Sequence, residues 1–469
     1  MVDAPLSSRQ GLGFGMLRLD PERAEHREAL RDALVAGVDL FDLGDFEARA
    51  GVSSSAGFSE KARLIGALVA EYAAVPVKVL VRGSLGSAER FGGRFQDLVP
   101  GATARDPRIE WHYLVADPEF ALRDLEWDHA RLYTLLHREL DTLEELAARG
   151  VLAGYGVASA AFTYAKESPD ALAIAPLFQG RSDDPSLELP DAPPARRPAN
   201  RRRFRWIEFP FNLVESGAAW ENAQSVGTET TTCLRAARAF GLTTVARRPF
   251  DAITADGLRR LAAYPDHHRV DLDEAVRRSL EVAIAEESET LVRANHERSR
   301  SGAASETLAP LWAHRLRDQL KHVTDPEQWR EILRRRIDPD LRELAASPTP
   351  PTVRYFDAMA ALTLSVKLWC EKAAAERGER LRAKLVEAAP TLARHRRPED
   401  RDPGLLALRI YRSIPGLDYV LVGMRSPNYV RSITAARSAE NAARVPALGP
   451  EELTSVWTAA HDFFAKGTA

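Results

Sequence analysis

Two hydrophobic rhythms alternate along the chain. Short apolar runs bounded by glycine or polar residues predict strands, and apolar residues every three or four positions predict helices. The run over 12–17, Leu-Gly-Phe-Gly-Met-Leu, reads as a strand or hairpin. Ala29, Leu30, Ala33 and Leu34 then share one helical face over 21–35. Gly37 ends that helix, because glycine tolerates a left-handed backbone. Strands are expected next at 38–42 and 77–81, with a helical pattern over 59–68 between them. Further strands are expected over 132–137, 153–157, 206–209, 243–246 and 419–422, and a helix over 140–149 closed by Gly150. Eight strands separated mostly by helices predict an α/β protein with a parallel sheet, closed as a (β/α)8 TIM barrel. A doubly wound sheet is the rival, but no Gly-x-Gly-x-x-Gly leads from any of these strands into a helix.

Two stretches interrupt the alternation. Residues 165–205 are rich in Pro, Asp and Arg and end in an arginine-dense run over 196–205, which predicts a loop insertion. Residues 258–403 are helical in pattern over 272–297, 308–346 and 353–389, with Pro348, Pro350 and Pro351 as breaks. Without these stretches roughly 280 residues remain, close to the usual barrel size. The expected organisation is therefore a barrel begun by 1–257, a helical insertion at 258–403 between strands seven and eight, and completion by 404–469 with a C-terminal helix. Such an insertion is expected at or beside the face that carries active-site loops, as a lid or as a surface for self-association or a protein partner.

Composition narrows the class. The chain has 469 residues, 45% apolar and 28% charged, which is globular rather than disordered. Lysine plus arginine (64) nearly balances aspartate plus glutamate (67), so no global field favours a nucleic-acid partner. Cys233 and Cys370 make neither a disulfide framework nor, alone, a zinc site, and a reducing, cytoplasmic setting is expected. No secretory signal and no apolar run near the length of a membrane span is found, so no membrane partner is expected.

Several strand ends carry an ordered set of short motifs. These are Gly11-Leu-Gly-Phe-Gly15, Gly37-Val-Asp-Leu-Phe-Asp42, Ser59-Glu60 with Leu64 and Gly66, and Leu132-Tyr-Thr-Leu-Leu-His137. Gly156-Val-Ala-Ser159, Phe209-Pro-Phe-Asn-Leu213, Arg248-Pro-Phe250 and Leu421-Val-Gly-Met-Arg-Ser-Pro427 follow. In this order they resemble the aldo-keto reductases, barrel enzymes that reduce carbonyls with NADPH. The resemblance covers roughly 1–160, 205–257 and 403–440. It implies a tyrosine that protonates the carbonyl oxygen, a lysine that lowers the phenol's pKa, an aspartate paired with the lysine, and a histidine that orients the carbonyl.

The resemblance places Asp42 as the aspartate and His137 as the histidine. The tyrosine position carries Glu47, with Phe46 beside it, and no tyrosine occurs between Asp42 and Tyr72. Glu47 protonates a carbonyl only where burial raises its pKa. The lysine position falls on Arg82 or Ser84, depending on a one-residue gap. Lys78 starts its strand, about 13 Å from the far end, and does not substitute. Arg82 keeps the charge but is no proton relay. For the cofactor NADP, the Ser-Asn pair that holds the carboxamide becomes Ala158-Ser159, the facing glutamine becomes Glu208, and the adenine-reading Glu-Asn pair becomes Ser432-Ile433. Gly423, Arg425 and Ser426 remain as contacts for the adenosine phosphates.

Three functions fit this reading. One is an NADP(H)-dependent oxidoreductase acting on a carbonyl or alcohol with rearranged groups, Glu47, Arg82 and His137 sharing the proton work. The second is a catalytically inactive barrel that binds a small-molecule ligand or a protein partner. The third is a lyase or isomerase that uses Glu47 and His137 without nicotinamide. Read without the resemblance, Asp42 caps the next loop or pairs with Arg82, and His137 is a hydrogen-bonded barrel histidine.

Overall fold

The computed structural model describes residues 10–46, 57–98, 106–178, 202–254, 257–265, 270–300, 311–346, 351–395, 397–443 and 446–465. Eight strands form its centre: β1 (Gly11–Gly15), β2 (Leu40–Asp45), β3 (Val77–Gly83), β4 (Ile109–Ala116), β5 (Gly154–Ala158), β6 (Phe204–Pro210), β7 (Thr243–Arg247) and β8 (Tyr419–Val422). Each runs parallel to the next, and β8 pairs with β1 to close the ring. Helices alternate with the strands: α1 (Ala24–Val35), α2 (Phe58–Tyr72), α3 (Ala88–Leu98), α4 (His129–Ala148) and α5 (Cys233–Ala239). The fold is a (β/α)8 TIM barrel.

One expected strand is corrected. Residues 132–137 lie inside α4, and the fourth strand is Ile109–Ala116. Leu132, Leu136, Leu140 and Leu143 recur at helical spacing and are all buried. The helix starts at Asp128, whose side chain accepts the Arg131 backbone N–H at 2.7 Å. A short apolar run fits a strand and a buried helix equally, so only the longer period and the cap distinguish them. The true strand was masked by Glu110 and His112, polar residues within an otherwise apolar run.

Strand alternation sends every second side chain inward. Leu40, Leu80, Leu114, Trp206, Val245 and Leu421 pack with Ala158 into an apolar layer. Two residues further along their strands, on the same face, stand Asp42, Arg82, Ala116, Glu208 and Arg247. The polar layer therefore occupies the C-terminal mouth of the barrel, where catalytic groups of this architecture are placed. The opposite end is closed by other polar pairs. Tyr419 donates to Asp39 Oδ2 at 3.1 Å, Lys78 Nζ lies 3.0 Å from the same oxygen, and Trp206 Nε1 donates to His112 Nδ1 at 3.1 Å. Burial, with Lys78 and Arg205 nearby, holds His112 down to about 3, so it stays neutral.

Glycine makes the tight ring possible at one point above all. A Cβ added at Gly156 would sit 1.9 Å from the Trp206 carbonyl oxygen across the β5–β6 pair. Backbone cannot yield there as a side chain could. Gly156→Ala is expected to destabilise the barrel by about 1–3 kcal/mol, read as a lower urea midpoint for its unfolding. An unchanged midpoint would show that the strands separate freely at that point.

The chain divides into two compact units. One comprises Met1–Pro249 with Ala407–His461, and the other Phe250–Leu406 with Asp462–Ala469. In sequence the second unit is thus inserted largely between β7 and β8. It contains a small antiparallel hairpin (Asp251–Thr254 with Gly257–Arg260) and long helices, chief among them α6 (Leu272–Arg300) and α7 (Val353–Ala388). The unit has its own core, in which Trp312, Leu316, Trp329, Tyr355, Met359 and Leu362 are buried together. Its outer faces carry helical ion pairs such as Arg277 with Glu274 and Glu281, each worth a few tenths of a kcal/mol. Among the described residues no helix is long and apolar enough to cross a membrane.

Candidate functional site

The mouth of the barrel is filled by a chain of opposite charges. Asp42, at the inward face of β2, accepts the Gly44 N–H at 3.1 Å through Oδ1 and Arg82 Nη2 at 2.5 Å through Oδ2. The turn that lets Gly44 reach back has a left-handed backbone there (φ +84°), which favours glycine. The same Arg82 Nη2 lies 2.9 Å from Glu208 Oε1 on β6. Glu208 Oε1 is 3.9 Å from Arg247 Nε on β7, and Arg247 Nη2 donates to Asp117 Oδ1 at 2.6 Å just past β4. The order is Asp42, Arg82, Glu208, Arg247, Asp117.

Within the chain three carboxylates thus face two guanidinium groups, and at its Asp42 end Asp45 also acts on Arg82 and the Lys61 ammonium on Asp42, which leaves the same excess of one negative charge. The excess negative charge falls on the member with least access to water, since Glu208 is 0% exposed. Burial pushes its carboxyl up to about 7, with Asp42 and Asp117 acting in the same direction and Arg82 and Arg247 against it. For Arg82 burial opposes the charge, but Asp42 and Glu208 together hold the guanidinium above its ordinary value. The pair therefore divides unevenly: Arg82 keeps its charge because it has a second carboxylate, and Glu208 is the group that takes up a proton.

Contact is close but poorly aligned. Although Arg82 Nη2 is within 2.9 Å, neither Glu208 oxygen receives a well-directed hydrogen bond from the described residues. Arg82 Nε and Arg247 Nε are likewise buried without an acceptor among them. Buried ion pairs of this kind add little net stability, and imperfectly satisfied ones less still. Backbone strain marks the same rim. Asp117 (φ +47°) and Arg248 (φ +58°) both adopt the left-handed region that non-glycine residues rarely enter. Arg248 Nη2 pairs with Glu215 Oε1 at 2.6 Å.

The expected site residues separate into groups. Asp42, Arg82 and Glu208 come together in the charge chain. Arg82, and not Ser84, occupies the place facing Asp42; Ser84 Oγ instead lies 3.0 Å from Ser87 Oγ. Glu47 lies outside the described residues. Its neighbour Phe46 packs against Phe58, Phe91 and Tyr113. His137 requires a correction: it is buried in the middle of α4 and does not end a strand. The fourth strand ends in Ala116, followed by Asp117, so no histidine stands at that point of the mouth.

The cofactor contacts also split. Ser159 is fully buried, donates to Glu119 Oε2 at 2.7 Å and accepts the Ala161 N–H at 3.0 Å. A carboxamide reaches this hydroxyl only by breaking that bond. With Glu208 turned to the arginines, the residues expected under a nicotinamide do not fit one. Gly423, Arg425 and Ser426 fare better. They follow β8 and precede the helix α8 (Pro427–Ala443), and the space where a Gly423 side chain would stand is open. That set fits a phosphate.

Arg247, Asp117 and Glu119 were not visible as site residues from sequence. Arg247 directly precedes the Arg248-Pro249 motif, and Asp117-Pro118 is a strand-ending dipeptide, but each needs the correct strand assignment to acquire meaning. Beside the mouth, a groove of about 550 Å³ opens between the loops that follow β3 and β4 and the outer helices α3 and α4. Asp117 lines it, and so joins it to the charge chain.

In comparisons with known proteins, no family model and no curated protein matches the chain. Among solved structures, the chain is similar to the holo form of the aldo-keto reductase AKR11C1 from Bacillus halodurans. That match has 12% identity and a TM-score of 0.41, and covers 96% of this chain and 91% of the other. A second similarity is to the aldose reductase from Schistosoma japonicum, at 12% identity and a TM-score of 0.27 over 50% of this chain and 64% of that one. Likeness at this level assigns no function.

Proposed function

We propose that this protein is an aldo-keto-reductase-like barrel that binds a small molecule at its C-terminal mouth and has lost tyrosine-dependent carbonyl reduction. The observation that carries this reading is the buried chain of charges from Asp42 to Asp117. The aspartate keeps a cationic partner, as the family arrangement requires, but that partner is an arginine, and it is shared with Glu208. The tyrosine position carries Glu47, which lies outside the described residues, and the fourth strand ends in Ala116 where the resemblance asks for a histidine. Three of the four reacting groups are thereby replaced, and the carboxamide contact Ser159 is committed to Glu119.

This predicts a specific pattern of nucleotide binding. If only the phosphate-suited residues near Gly423 contribute, NADPH binds no more tightly than adenosine 2′,5′-bisphosphate, within about a factor of three. Both are titrated into the protein with tryptophan fluorescence as readout, with NADH alongside. NADPH binding at least about tenfold tighter than the bisphosphate, some 1.4 kcal/mol, would show that the nicotinamide end is held after all.

A second reading, an NADP(H)-dependent oxidoreductase with rearranged groups, has one observation in its favour. The Glu208 carboxyl, raised to about 7 by burial, is poised to exchange a proton near neutral pH. Its full burial argues against direct contact with a substrate.

A further inference from the structure

The groove beside the mouth has a volume of about 550 Å³, that of a small-molecule site, and opens at the C-terminal ends of β3 and β4. Leu135, Arg138 and Thr142 are three and four residues apart on α4 and present one helical face to it. Leu85, Pro118, Phe120, Leu125 and Trp127 supply apolar walls from the loops. Most of its charged groups are already committed. Asp117 pairs with Arg247 and Asp124 with Arg123. Glu139 accepts the Ser87 and Ala88 N–H groups at 3.0 and 2.7 Å, where the start of α3 offsets its charge. Phe120 and Trp127 carry the Arg123 and Arg131 guanidinium groups against their rings, so they serve as walls and not as acceptors of a further cation.

Arg138 is the exception. Its half-buried guanidinium has no ion pair or hydrogen bond among the described residues, and its Nη2 is shut off from water without an acceptor. A buried charged donor left in this state costs stability unless an acceptor comes from outside the chain. The other uncommitted charge of the lining, Glu89, is exposed, where water and salt screen it. The two uncommitted charges therefore differ in depth, and the deeper one is positive. We propose that the groove binds a carboxylate with an apolar body, such as an aryl acid, with Arg138 as its anchor. The apolar body displaces water along Leu125, Leu135 and Trp127. The carboxylate takes paired N–H bonds from the guanidinium, a turn of the Arg138 fork bringing Nη2 to its second oxygen. An ammonium group of the same shape finds no free acceptor below the rim and leaves Arg138 unsatisfied. This site adds to the one proposed at the mouth and does not depend on it.

The test uses the full chain and three probes of matched shape: 2-naphthoate, 2-naphthylmethanol and 2-naphthylmethylammonium, each titrated calorimetrically. Naphthoate is expected to bind about tenfold more tightly than the alcohol, with the ammonium probe weakest. Arg138→Met keeps the apolar stem and removes the guanidinium. It is expected to weaken naphthoate about tenfold and leave the alcohol unchanged. Arg138→Lys, a point charge in place of a fork, is expected to recover part of that loss. Without ligand, Arg138→Met should melt no lower than the wild type, because the change leaves no partner unpaired; a clear drop would assign Arg138 to the fold and overturn the inference. The ammonium probe binding as tightly as naphthoate, a naphthoate affinity that Arg138→Met does not move, or binding by none of the probes would each overturn it as well. Its failure is distinct from failure of the reading of the mouth. Carbonyl turnover with NADPH would sink that reading and leave the charge ranking of the probes intact.

Discussion

Arg82→Met is expected to destabilise the barrel by about 3–5 kcal/mol near pH 8, because it leaves Asp42 and Glu208 buried beside each other without their shared cation. Methionine keeps most of the volume, so the loss reports charge rather than packing. For a unit of this size the shift in the barrel's melting temperature is about 5–15 °C. The size of the loss depends on pH. Near pH 5 Glu208 carries its proton, one fewer buried charge is orphaned, and the difference from the wild type narrows. A penalty of the same size at both pH values would mean that Glu208 takes no part in the chain.

The second expectation runs against the usual effect of altering a buried polar residue. Glu208→Gln removes one of three carboxylates and leaves two balanced pairs, Asp42 with Arg82 and Asp117 with Arg247. The sign of the pH effect follows from the raised carboxyl. Between its ordinary value of 4.5 and about 7 the folded protein holds a proton that the unfolded chain releases. Stability from this group is therefore full below the ordinary carboxyl range and is lost as pH rises through about 7. The loss is about 3 kcal/mol, and Glu208→Gln does not suffer it. The variant should match the wild type near pH 4.5 and exceed it near pH 8, judged from melting temperatures across that range. Parallel stability profiles for the two proteins would place the charge excess elsewhere in the mouth.

Much of the fold could be read from hydrophobic period. Seven of eight strands were found because β1, β2, β3, β5, β6, β7 and β8 are short apolar runs with clear stops, such as Gly37 before β2 and Gly150 before β5. The fourth was not, because Ile109–Ala116 carries Glu110 and His112 while 132–137 offers a cleaner run. That single exchange moved the site as well as the strand. It put His137 at a strand end that it does not occupy, and hid Asp117, which only the correct strand delivers to the mouth. Asp42 was recognisable at its position, but the sequence leaves Arg82 or Ser84 opposite it and offers both a loop cap and an ion pair; in the structure Asp42 accepts the Gly44 N–H and Arg82 together. Glu208 was read as a cofactor contact. Its place between two arginines depends on Arg247 pointing inward from β7, and inward direction is a property of register that no local pattern encodes.

The same logic explains why the chemistry of the mouth is poorly legible from motifs. Asp42, the glycine-rich first strand and the loop after β8 carry the resemblance because they are tied to backbone positions. Of the residues at the positions that the resemblance assigns to tyrosine, lysine and histidine, only Arg82 joins the buried network; Ala116 is apolar and Glu47 lies outside the described residues.

The most direct measurement is the carbonyl-dependent consumption of NADPH, followed by absorbance at saturating aldehydes and ketones of aromatic and aliphatic type near pH 6 and pH 8. The expected result is no consumption above the enzyme-free rate for any substrate at either pH. Turnover that depends on the carbonyl and falls in Glu208→Gln would contradict the account, and would make Glu208 the proton donor of a working reductase.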